Sequence, residues 1–244
     1  MTAPQLTEEL FREDAYLKSC PARVVSVNAR GGVLLDRTVF YPTGGGQPGD
    51  RGRLVGPDGR TIAIATTVYD ADGRGIVHVP AESMAKGLAP GDEVTAEIDW
   101  DLRHRHMRTH TALHLLCALV AFPVTGGQVG PLEGRLDFDI PDAGLDKDEL
   151  TTRLHAEIAA DRAVGHRWIS EEEMAARPEL IRTMSVKPPT GRGRVRLVEI
   201  EGLDLQPCGG THVRRTSQIG RVTVTKIEKK GAINRRIRIV VGDA

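Results

Sequence analysis

Two short pairs of residues constrain this 244-residue chain more than anything else in it. The first is His110-Thr-Ala-Leu-His114, inside the run from Arg108 to Leu116. The apolar pattern around it predicts a helix capped by Asp99 or Asp101 and ending near Phe122, ahead of Pro123. Four residues of helix turn through about 400°, so both imidazoles leave one face, a turn apart. Thr111 stands where a metalloprotease helix carries its glutamate base. The second pair is Cys208-Gly-Gly-Thr-His212, whose glycines let the backbone wrap tightly around an ion. Alone, each pair has a plain structural reading: two core histidines on an amphipathic helix, or a small buried thiol. Together, one thiolate and three imidazoles make a good tetrahedral zinc set. Leu115 to Pro207, 93 residues, separate the pairs, so the fold must assemble the site.

The remaining histidines and cysteines read as accessory. His106 lies near the face of His110 and is expected behind the ligands or toward RNA. Cys117, in Leu-Leu-Cys-Ala-Leu-Val, reads as a core thiol. His78, His104, His155 and His166 show no partner in sequence and read as surface residues. Three cysteines do not make a disulfide framework and suit a reducing compartment, so a cytoplasmic protein is expected. No secretory leader is expected from the opening residues. The longest apolar run, residues 113–122, is about half the ~20 residues of a membrane span. At 40% hydrophobic and 27% charged residues the composition is globular. Aromatics, at 4%, are too few for stacked single-strand platforms.

The first hundred residues alternate β-branched runs with turn signals. Strands are expected at 22–27, 33–35, 38–41, 61–68, 75–79 and 93–98, after a short amphipathic helix over 7–16. Such spacing suggests a small barrel. Beyond residue 99, Asp146 with Glu149 and Ser170 with Glu173 make capping boxes for two further helices. Strands follow at 195–200, 222–227 and 237–241. The fold class expected is α+β: a β-barrel domain over 1–98, then a domain over 99–244 with a mainly antiparallel sheet packed on helices.

Tyr41-Pro-Thr-Gly-Gly-Gly-Gln-Pro, continuing to Asp50, is the other conspicuous segment. Its glycines permit close backbone approach and exposed N–H groups that can hold an oxygen. It is neither a Walker loop nor a dinucleotide fingerprint. A wide turn would explain its Gly and Pro but not Gln47, whose amide both donates and accepts.

With Ile98-Asp-Trp, Arg105-His-Met-Arg-Thr-His-Thr-Ala-Leu-His-Leu-Leu, Arg135-Leu-Asp-Phe, Cys208-Gly-Gly-Thr-His and Lys230-Gly-Ala-Ile-Asn-Arg-Arg-Ile, these segments resemble the alanyl-tRNA editing proteins of the AlaX type, in the medium-length form. Those are free-standing relatives of the alanyl-tRNA synthetase editing domain. The resemblance covers about residues 15–241, in the family's order. It implies a zinc ion, one per chain, held by His110, His114, Cys208 and His212. It implies trans-editing hydrolysis of the ester joining serine, or glycine, to tRNA specific for alanine. Thr125 falls where the family has a threonine that contacts the serine hydroxyl; Leu113 departs from a position where many members carry threonine. Gln47, Gly45 and Gly46 are the expected water-aligning groups. In the chemical step the zinc either activates the water or orders the site, and the ligand count favours the second. Other readings are a zinc-stabilised RNA-binding module and a deacylase of a different misacylated tRNA.

The formal net charge is zero, but as an average over unlike parts. Residues 1–99 carry −4 and residues 100–244 carry +4. From Arg182 to Arg238, 14 basic residues face 4 acidic ones. Arg192, Arg194, Arg214, Arg215, Lys229, Lys230, Arg235 and Arg236 are therefore the candidates for contacting tRNA phosphates.

Overall fold

The computed structural model describes residues 7–71, 73, 75–82, 87–140, 144–182, 193–231 and 233–242. The chain forms two compact units. One runs through Gly44 and resumes over Pro48–His104; the other holds Gly45–Gln47 and everything from Arg105 onward. No helix among the described residues is long and apolar enough to cross a membrane.

The first unit is a closed barrel. Its strands are β1 (Glu8–Glu9), β2 (Ser19–Val27), β3 (Val33–Leu35), β4 (Arg37–Thr38), β5 (Gly52–Val55), β6 (Thr61–Tyr69), β7 (Ile76–Pro80) and β8 (Glu93–Ile98). Six of them close in the order β2-β3-β7-β6-β5-β8, with antiparallel neighbours. Alternate residues turn inward and fill the core with Val24, Val33, Leu35, Leu54, Ile64, Val94 and Ala96. The helix expected over 7–16 is absent. Glu8–Glu9 instead pair in parallel with Arg37–Thr38, and a single 3-10 turn, Leu10–Arg12, follows. The backbone N–H of Glu8 reaches Asp36 O at 2.8 Å, and Asp14 Oδ1 accepts from Tyr16 N at 2.9 Å. These bonds, one to a distant carbonyl and one local, take the groups a helix would have used. Strand β5 went unread because Arg51 before it and Gly52 at its start look like loop. Yet a Cβ at Gly52 would lie 2.1 Å from Glu97 O, so only glycine lets β5 cross β8 this closely.

The long helix α1 (Trp100–Val120) begins in this unit, where Asp99 caps it through Leu102 N at 3.1 Å. On its first turn Arg103 is fully buried. It ion-pairs with Asp50 and donates to Ala15 O at 2.9 Å and Val39 O at 2.6 Å. Asp50 also accepts from Tyr41 N at 2.6 Å and donates its own N–H to Tyr41 O at 2.9 Å. The base of the glycine-rich loop is thereby closed. His78, expected on the surface, is fully buried: its ring lies 2.8 Å from Thr38 Oγ1 and 3.0 Å from Val33 O.

The second unit contains β9 (Val124–Val129), β10 (Glu133–Asp139), α2 (Lys147–Ala159), β11 (Val164–Ser170), α3 (Glu171–Ala175), β12 (Arg194–Ile200), β13 (Asp204–Pro207), β14 (Val222–Lys230) and β15 (Asn234–Val241). They form two antiparallel sheets, β14-β15-β10-β9 and β11-β12-β13, with α2 packed on β14. Both expected caps are present: Asp146 accepts from Asp148 N and Glu149 N, and Ser170 and Glu173 form a reciprocal box. The fold is α+β, as the sequence implies. Helix α1 differs from the amphipathic expectation. All nine residues from 109 to 117 are buried, so this stretch is a central strut rather than a surface helix. It ends where Ala121 enters the left-handed region at φ 54°.

Candidate metal centre

His110 and His114 lie on the buried stretch of α1; Cys208 and His212 lie in the loop that follows β13. The fold brings all four together, with one donor atom from each within 4.8 Å of the others. Cys208 Sγ stands 3.6 Å from His110 Nε2 and 3.3 Å from His212 Nε2. Zinc–sulfur and zinc–nitrogen bonds of about 2.3 and 2.0 Å, arranged tetrahedrally, separate such donors by about 3.5 Å. The loop is shaped for this contact. A Cβ at Gly210 would fall 2.3 Å from His110 Cε1 and 3.0 Å from Gln47 Oε1, so a side chain there would push into the imidazole. Arg196, buried on β12, donates from Nη1 to Cys208 O at 3.0 Å and Gly210 O at 3.2 Å and clamps the turn.

Each imidazole keeps Nδ1 occupied from behind. His110 Nδ1 lies 2.9 Å from Gln47 Oε1, His114 Nδ1 lies 3.0 Å from Asp204 Oδ2, and His212 Nδ1 lies 3.4 Å from Thr111 Oγ1. An Nδ1–H donated to each acceptor leaves the Nε2 lone pair for a metal. The thiol fits the same picture. Burial opposes its ionisation, yet the neighbouring His110 and His212 hold the Cys208 thiol well below its ordinary range. Burial likewise disfavours charge on His114, but Asp204 and Cys208 outweigh it and push the imidazole up to about 10. Burial and His110 drive His212 well below the usual imidazole range. Asp204 stays a carboxylate: burial raises it, and the bond to His114 more than compensates. Two anionic groups buried among imidazoles are the surroundings a dication needs. The four residues can hold a metal ion.

The glycine-rich loop reaches this site through residues of the same unit. Gln47 is fully buried. Its Oε1 accepts from Thr211 N at 3.2 Å as well as from His110, and its Nε2 donates to Thr211 Oγ1 at 2.9 Å. Gly46, at φ 81°, accepts from Val129 N at 2.8 Å, and a Cβ on it would meet Gly127 O at 2.9 Å. Gly45, at φ 54°, and Gly46 are exposed. Thr125 sits at a bulge: Gly126 pairs with Asp137 and Val124 with Phe138, which leaves Thr125 outside the ladder. Its hydroxyl lies 2.8 Å from Asn234 Oδ1 and 3.2 Å from Asp137 O. Leu113 is buried, 3.1 Å from where a Cβ on Gly134 would stand. His106 is buried and lies outside the four-residue group. Cys117 is a core thiol, pushed up to about 11 by burial and by Asp204.

The candidate phosphate contacts are not alike. Arg192 lies outside the described residues. Arg194 places its guanidinium 4.0 Å above the Trp168 ring. Arg215 Nε pairs with Asp161 at 2.7 Å, and Arg236 grips Asp137 with two bonds of 2.7 and 2.9 Å. Lys230 lies 4.0 Å from Glu228, and Arg235 donates to Asn234 O at 3.2 Å. Lys229 and Arg214 are exposed. Reasoning from sequence missed Asp204, Gln206, Thr111 and Arg196. Only Thr111 gave a signal, as a β-branched hydroxyl one residue after a ligand in a helix.

Known proteins resemble this chain along nearly its whole length. The model of the threonyl and alanyl tRNA synthetase second additional domain matches residues 195–238, which include the Cys208–His212 turn. The model of the class II (A) tRNA synthetases matches residues 16–102. An alanyl-tRNA editing protein AlaX-M of Methanosarcina barkeri is 35% identical over 243 residues, 98% of this chain and 100% of that protein. The AlaX-M of Saccharolobus solfataricus is 34% identical over 97% of this chain and 99% of its own length. An alanine–tRNA ligase of Sulfurisphaera tokodaii is 32% identical over 97% of this chain but only 26% of the ligase. The chain belongs to the family of alanyl-tRNA editing proteins.

Proposed function

We propose that this chain is a zinc-dependent trans-editing enzyme that removes serine, and also glycine, from mischarged tRNA specific for alanine. As a member of its family it is an aminoacyl-tRNA deacylase, a hydrolase of a carboxylic ester. The observation that carries the zinc reading is the set of three imidazoles with an acceptor at each Nδ1, two of which bring Nε2 beside Cys208 Sγ. His110, His114, Cys208 and His212 would hold the zinc, which when bound orders the site, since four protein ligands fill a tetrahedron. Gln47 works through His110, because its carbonyl oxygen already serves His110 and Thr211. Main-chain N–H groups at Gly45 and Gly46 remain to hold the ester oxygen and the attacking water.

Thr125 supplies the choice of amino acid. A synthetase pocket shaped for alanine rejects serine or glycine by only ~1–3 kcal/mol, so a second sieve is needed. The Thr125 proton is directed to Asn234 Oδ1, 2.8 Å away, which leaves its lone pairs to accept from a serine hydroxyl. An alanyl ester would bury that acceptor unpaired and bind worse. Lys229, Lys230, Arg214 and Arg235 meet the acceptor-stem phosphates in a cytoplasmic setting, with Arg194, Arg215 and Arg236 held in place by their own partners. Turnover on Ser-, Gly- and Ala-tRNA(Ala) tests the proposal. Hydrolysis of the seryl and glycyl esters with the alanyl ester spared is the expected result. Binding without turnover of any ester would favour a zinc-stabilised RNA-binding module, and turnover only on another tRNA would favour a different editing target.

A further inference from the structure

We infer that Asp204 is a positioning residue of the metal centre, fixing His114 as a ligand through a buried carboxylate–imidazole pair. The inference rests on the reading of the four-residue cluster as a zinc centre. Asp204 opens β13, and its side chain is fully shielded from solvent. Oδ2 accepts from His114 Nδ1 at 3.0 Å and from Gln206 Nε2 at 2.7 Å. Among the described residues Oδ1 makes no hydrogen bond, and it lies 3.8 Å from Arg182 Nε.

A carboxylate in such a place is costly to bury, and well-packed apolar groups often replace buried charges at no loss of stability. Arg182, more than a third exposed and 3.8 Å away, does not reach hydrogen-bonding distance, so His114 and Gln206 are the partners that hold the carboxylate. Among the three imidazoles the acceptors are graded. His110 backs onto a neutral amide and His212 onto a hydroxyl at 3.4 Å; only His114 backs onto a carboxylate. A carboxylate behind an imidazole makes it a more basic ligand and locks its ring orientation. His114 is therefore the most firmly held ligand, and β13 takes part in the centre without touching the ion.

Zinc affinity of the full-length chain, measured by competition with a chromophoric chelator, tests this. Asp204→Asn keeps the shape and an acceptor for His114 but removes the charge; Asp204→Ala removes both. Zinc affinity is expected to fall about tenfold in the first and about a hundredfold in the second, the range seen when outer partners of ligating histidines are lost. Cobalt loaded in place of zinc should keep its thiolate absorption band while the ligand-field band changes shape. A merely structural Asp204 would lower thermal stability equally with and without metal and leave zinc affinity within twofold of the parent; that result overturns the inference. The isosteric Asn variant decides the matter if the Ala variant does not fold. Failure of the parent chain itself to bind zinc would be a separate failure, of the metal reading.

Discussion

Gln47 is expected to align a water and Thr125 to contact the serine hydroxyl, and the two stand in different surroundings. Gln47 is fully buried behind His110, with its amide divided between that imidazole and Thr211. Thr125 stands out of its ladder at a bulge, half-buried, with its proton already directed to Asn234. Thr125→Val keeps the shape and removes the acceptor. The ratio of seryl to alanyl hydrolysis should then fall by about tenfold, ~1.4 kcal/mol, in parallel deacylation assays. An unchanged ratio would remove Thr125 from the selection of serine. The four candidate ligands could be picked out in sequence because each pair is local: i and i+4 on a helix, and a Gly-Gly turn. Asp204 was not, since it lies 90 residues from His114 along the chain and on a strand too short to show a period.

At the scale of elements, the barrel and the helix caps were readable and several strands were not. Val24, Leu54 and Val94 alternate with polar neighbours as a barrel wall must, and Asp146 and Ser170 carry the chemistry of a helix start. Strands β9 and β11 contain glycines, which weaken strand propensity; these strands exist because β10 and β12 supply a ladder. The residues over 7–16 failed as a helix because β4 offered a paired edge. His78 belongs to this scale, since it joins β7 to Thr38 at β4 and to Val33 of β3. Burial pushes its imidazole down to about 4, below the usual 6.5. The unfolded chain therefore takes up this proton first on acidification, and stability is lost as pH falls from 6.5 toward 4. That group alone accounts for up to about 3 kcal/mol. In His78→Gln, which keeps a donor and an acceptor, denaturant unfolding should show a flatter acid limb across that window. Equal steepness in the two proteins would mean His78 titrates normally in the fold.

For the molecule as a whole, net charge proved a poor guide and its distribution a better one. The sum of zero conceals a basic stretch from Arg182 to Arg238, but Arg196 turns inward to clamp the metal loop, and Arg215, Arg236 and Arg238 are paired with carboxylates. Counting charges along the chain could not separate these from cations that face solvent, because the pairing is set by sheet register. The division of labour follows from the units themselves. The barrel unit carries the closed base of the glycine-rich loop, and the second unit owns Gly45–Gln47 and every candidate ligand. The four candidate ligands are proposed to form the zinc centre of a deacylase. The most direct test of that proposal is seryl-tRNA(Ala) deacylation by protein stripped with chelator and then titrated with zinc. Activity should vanish on stripping and return in full at one zinc per chain, with His110→Ala inactive throughout. Full turnover by the stripped protein would contradict the account.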